Sequence, residues 1–149
     1  MKHLITASVL LTCLITATCL TSCGKKDSTT SKPKEELAMG TWSINRVQIK
    51  IYYNGVFNKD SILPAKNLPK NFVQFDNNAD FQYCFSSPTI NSGTYVWKGA
   101  DSLIATTPST IYRWKMLTLT TELFTVVNTS TNNPAFPGAK VETYQTFVR

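Results

Sequence analysis

An all-β fold, an antiparallel up-and-down meander closing into a barrel of about eight strands, is what the sequence predicts for residues 39–149 of the 149-residue chain. Three observations lead there. Past residue 38 the apolar side chains do not recur at helical spacing; they alternate in short runs rich in Val, Ile, Thr, Tyr, Phe and Trp. Clusters of Asn, Gly, Asp, Ser and Pro separate these runs at intervals of about 8–12 residues, the rhythm of a sandwich or barrel. The runs follow one another in simple succession, and a meander of this size loses its exposed edges by closing on itself.

The first strand, residues 41–52, contains a change of phase. Trp42 and Ile44 share one parity, whereas Val47, Ile49 and Ile51 share the other. One extra residue near Asn45 and Arg46 repairs this, which predicts a bulge or sharp bend there. Asn54-Gly55 is a two-residue hairpin signal, leading into a second strand over residues 56–63; residues 64–70 follow as a loop. Strands over 72–75 and 79–85 pair across Asp76-Asn77-Asn78, with Phe81, Tyr83 and Phe85 on one face. Residues 94–98 turn at Gly99-Ala100-Asp101 into 103–107. Residues 110–118 and 123–128 form another hairpin, and the loop 129–139 leads to a last strand over 141–148.

Ahead of the barrel, Met1-Lys2-His3 carries positive charge and residues 4–20 carry none. That run is short for a spanning helix, which needs about 20 apolar residues, and fits a secretory signal core. It ends in "LTSC", Leu20 to Cys23, which resembles the bacterial lipobox of an aliphatic residue, two small residues and a cysteine. The resemblance implies a signal peptide over 1–22 and a diacylglycerol thioether on Cys23, which becomes the mature N-terminus and is acylated again on its amine. One acyl chain anchors marginally, whereas two or more hold a protein on a membrane. Gly24 directs the expectation to the outer membrane, facing either the periplasm or the outside. Residues 24–37, "GKKDSTTSKPKEEL", are polar and contain a proline, so 23–38 read as a lipidated cysteine and flexible tether.

The composition excludes several chemistries. Loss of the signal removes His3, Cys13 and Cys19, leaving Cys84 as the one thiol besides Cys23. An intrachain disulfide is then impossible, and Cys84 reads as a buried, inert thiol. Without a histidine there is no His general base, no Ser-His-Asp set and no zinc site of the usual kind. The expectation is a non-enzyme with no catalytic residue, metal or cofactor. Asp76 and Asp80 bracket "DNNAD", which lacks the ligand count of a calcium loop and reads as a turn. The net charge of +6 is scattered along the chain, and a nucleic-acid footprint would need clustering.

Several short motifs in this order resemble a known group. "GTW" opens the first strand at Gly40-Thr41-Trp42, as G-x-W does in the lipocalins; "FVQFDNNADF" (72–81), "GTYVWKG" (93–99) and the terminal "TFVR" follow. Together they are similar to the lipocalin-like domains of small lipoproteins from Gram-negative gut and soil bacteria. The resemblance implies that Trp42 plugs one barrel end beneath a basic side chain, Arg149 or alternatively Arg113. The leading expectation for function is a binding module, with Phe81, Tyr83, Phe85, Tyr95, Trp97, Tyr112 and Trp114 lining or filling the interior. The implied partners are the membrane through the lipid, a small hydrophobic ligand, or an envelope protein; nucleic acid is not among them. "SGTYVWKG" (92–99) is also similar to a segment of C-type lysozyme inhibitors, with the tyrosine one residue early. That alternative, an inhibitor or interaction lipoprotein, expects a protruding loop at 92–94; a subunit without a ligand cavity is the other. Asp27-Ser28, Asp60-Ser61 and Asp101-Ser102 resemble the Asp-Ser O-glycosylation acceptor of exported proteins in that bacterial group, which implies modification at Ser28, Ser61 or Ser102.

Overall fold

Strand β1 (Gly40–Tyr53) organises the molecule, because its two halves bond different neighbours along one edge. The computed structural model describes residues 32–64, 71–85 and 87–149. The signal segment, Cys23, Ser28, most of the tether and residues 65–70 of the expected loop lie outside the described residues. The first residues of β1, Gly40 to Ser43, pair with β3 (Phe72–Phe75); from Arg46 to Tyr53 the same edge pairs with β2 (Val56–Pro64). The opposite edge pairs with β9 (Ala139–Val148) from Ser43 to Tyr53. In between come β4 (Asp80–Cys84), β5 (Asn91–Lys98), β6 (Ser102–Thr106), β7 (Ile111–Leu119) and β8 (Leu123–Ser130), each antiparallel to its neighbours. Strands β1 and β3–β9 thereby close an antiparallel barrel of eight strands, and β2 stands outside the ring as an extra strand. The simple succession expected from the sequence therefore breaks at β2, which shares an edge of β1 with β3.

The bulge sits where the phase change places it. Against β9 the register slips between Ile44 and Arg46, leaving Asn45 over. Trp42, Ile44 and Val47 consequently all reach the main core, while Ile51 joins a smaller cluster with Ala139 and Val141 under Phe136. At the hairpin, Asn54 and Gly55 have φ of 53° and 79°, the two left-handed positions of a type I′ turn. At the β3–β4 turn Asp76 Oδ1 accepts the N–H groups of Asn78 and Asp80, at 3.1 and 3.2 Å. That is the work of a turn aspartate.

One expectation is corrected at the tether. Lys34–Ala38, read as part of the flexible segment, form a helix, α1. Five residues cannot hold a helix alone; this one is docked, with Ala38 fully buried in the main core. The barrel and α1 form one compact unit over Lys32–Arg149.

Candidate functional site

The end of the barrel at the start of β1 is closed by α1 and held by a clamp of long-range contacts. A helix leaves its last carbonyls without partners. Here Trp42 Nε1 donates to Ala38 O at 2.7 Å, while Arg149 Nη2 donates to Leu37 O at 3.0 Å and also to Met39 O. The Arg149 guanidinium lies over the Trp42 ring, 3.9 Å from its centroid, and places a cation at the negative end of α1. Lys34 Nζ reaches Gly99 O and sits 5.0 Å from the Trp97 ring centroid. Arg113, the alternative cap for Trp42, is elsewhere: it points outward from β7, because positions 111, 113, 115 and 117 of that strand are exposed and Tyr112, Trp114 and Met116 face in.

The seven aromatic residues expected to line or fill the interior all belong to, or pack against, one core cluster. Phe81, Tyr83, Tyr112 and Trp114 form a group in which each ring touches the other three, with centroids 5.0 to 6.2 Å apart. Phe75 joins Phe81 and Tyr95 to Phe124, which stacks on Phe147. Two polar groups inside this packing are satisfied: Gln145 Nε2 donates to the Tyr83 hydroxyl, and Tyr95 donates to Asp76 O at 3.0 Å. Burial pushes the Tyr83 hydroxyl far above the usual tyrosine range, which favours its neutral form. Phe85, Trp97 and Tyr112 are half-buried at the margins of the cluster, and Trp97 Nε1 is buried without a hydrogen-bond partner among the described residues.

The segment Ser92 to Thr94 is no loop. It lies in β5, where Ser92, Gly93 and Thr94 face Gln82, Phe81 and Asp80 of β4. A Cβ on Gly93 would stand 1.9 Å from the carbonyl oxygen of Thr106, so only glycine fits this crossing. Cys84 is fully buried, with Sγ 3.1 Å from Ser87 O, and among the described residues it is free. Ser61 is exposed on β2, whereas Ser102 is half-buried on β6 with its hydroxyl 3.3 Å from Asp101 Oδ1.

Two features of the outer surface were not foreseen. On the outside of β1 and β9, Glu142 is bonded by Lys140 Nζ and the Tyr144 hydroxyl, both at 2.7 Å, and Lys50 lies over the Tyr144 ring. These partners hold the Glu142 carboxyl below its ordinary range and, chiefly through the bond to Glu142, push Tyr144 up to about 12. Lys140, Glu142 and Tyr144 alternate along one face of β9, and the register with β1 adds Lys50 to them. Second, a groove of about 370 Å³ crosses β6, β7 and β8, with Ser102, Ile104, Arg113, Lys115, Val127 and Thr129 among its walls.

No group of three His, Cys, Asp or Glu residues converges to hold a metal among the described residues. No protein-family model and no curated protein matches the chain.

Proposed function

We propose that this protein is a lipid-anchored, non-catalytic component of the bacterial cell envelope, a lipocalin-like barrel that acts on an envelope partner through its outer surface. The filled interior carries this reading. A barrel of eight strands has room either for packed side chains or for one small ligand. Here Phe75, Phe81, Tyr83, Trp114, Phe124 and Phe147 occupy that space against one another. The outer-membrane anchor rests on the lipobox-like "LTSC" and the polar segment behind it. Of the two glycosylation candidates among the described residues, Ser61, exposed beside Asp60, is the better placed.

Mass spectrometry tests both halves. In protein extracted from membranes the N-terminal peptide is expected to begin at a diacylated or triacylated Cys23, and Cys23→Ser is expected to abolish the lipid mass. Native spectra taken before and after organic extraction are expected to be identical. An apolar mass removed by extraction would instead restore the ligand-holding reading.

A further inference from the structure

The groove across β6–β8 has a chemistry that the filled barrel does not need. Its middle strand presents Ile111, Arg113, Lys115 and Leu117 outward in alternation, and Ile111 and Leu117 are each 48 % exposed. On β6, Ile104 stands between Arg113 and Val96, itself 46 % exposed, while Ser102 stands between Lys115 and Lys98. Three cations thus sit within an apolar surround. The Arg113 side chain makes no ion pair or hydrogen bond among the described residues. The Lys115–Asp101 pair is long, at 3.8 Å, and both side chains are more than half exposed, a geometry that contributes little. Glu142, facing Thr129 across β8 and β9, is already occupied by Lys140 and Tyr144. The groove therefore presents an excess of positive charge over Ile104 and Val127.

We propose that this face docks on a membrane surface containing anionic phospholipid, with Arg113 and Lys115 on the lipid phosphates and Ile104, Val127 and the exposed apolar residues at the acyl boundary. The charge complementarity excludes a neutral bilayer, and the apolar component distinguishes a lipid from a free phosphate. The inference deepens the surface-acting reading above and rests on it, but not on lipidation at Cys23.

The test uses the chain from residue 25 onward, which keeps the whole compact unit over Lys32–Arg149 and carries no lipid. Co-sedimentation with vesicles of phosphatidylcholine mixed with phosphatidylglycerol is expected to exceed that with phosphatidylcholine alone. Arg113→Gln and Lys115→Gln are each expected to weaken binding about fivefold, and the pair about thirtyfold. Lys59→Gln, an exposed lysine on β2, serves as the control and is expected to change binding less than twofold; unchanged melting temperatures verify folding throughout. Equal binding to both vesicles, an equal loss in Lys59→Gln, or displacement by inorganic phosphate but not by chloride at equal ionic strength would each overturn the proposal. Cys23 is absent from this chain, so a failed lipidation measurement leaves the result unaffected.

Discussion

Trp42 and Trp97 both lie beneath a cation at the closed end, yet their indole N–H groups differ. Trp42 spends its donor on Ala38 O; Trp97 buries its donor without a partner among the described residues. An unmade hydrogen bond costs more than a made one contributes, so the two positions answer differently to phenylalanine. Trp42→Phe is expected to destabilise by about 2 kcal/mol through the lost bond and a weakened stack with Arg149. Trp97→Phe is expected to stay within about 1 kcal/mol of the parent, since relief of the orphan donor offsets lost contact. Urea titrations compare them directly. At Glu142 and Tyr144 the consequence is a pH dependence with a definite sign. Glu142 has a depressed folded pKa, so its contribution is present above the ordinary glutamate range and is lost as pH falls through and below it. Tyr144 has a raised folded pKa, so its contribution is full below pH 10 and is lost as pH rises toward about 12. Glu142→Gln is expected to flatten the acid decline and return Tyr144 toward the ordinary tyrosine value of about 10, as followed by the NMR shifts of its ring carbons.

Among the elements, β5 has the tightest constraint. Gly93→Ala drives a Cβ into the backbone of Thr106, where no rotamer change can relieve the clash. The expected loss is about 3 kcal/mol or more, seen as a large fall in the urea midpoint. The features that the sequence disclosed share one property: their cause is local. The Asn45 bulge follows from a parity change within a single strand, and the Asn54-Gly55 turn from two residues that tolerate positive φ. Those it withheld depend on distant partners. Helix α1 looks like tether because its apolar content is small and its carbonyls are satisfied by Trp42 and Arg149. The place of β2 was hidden for the same reason. A hairpin signal says that β1 and β2 pair, but not that β3 takes the remaining part of the same edge.

At the scale of the whole molecule, alternation along each strand marks which aromatics point inward, but not whether they enclose space or fill it. That depends on the summed volume of side chains from eight strands, which no single segment records. The candidate outer groove was illegible for a related reason, since Ile104, Arg113 and Val127 become neighbours only through the β6–β7–β8 register. Closure has a further consequence, and it concerns time. Ser43 meets Val148 although about a hundred residues separate them, the kind of non-local pairing that slows folding. A chain leaving a ribosome or an export channel delivers β1 early and β9 last. Until Phe147 and Arg149 arrive, Trp42 has neither its full packing nor its cation, and β1 has an unpaired edge. Chains arrested before residue 139 are expected to be digested rapidly by protease, whereas released chains resist. Maturation of the barrel is thus a single late event, and the nascent chain needs shelter until its last strand emerges.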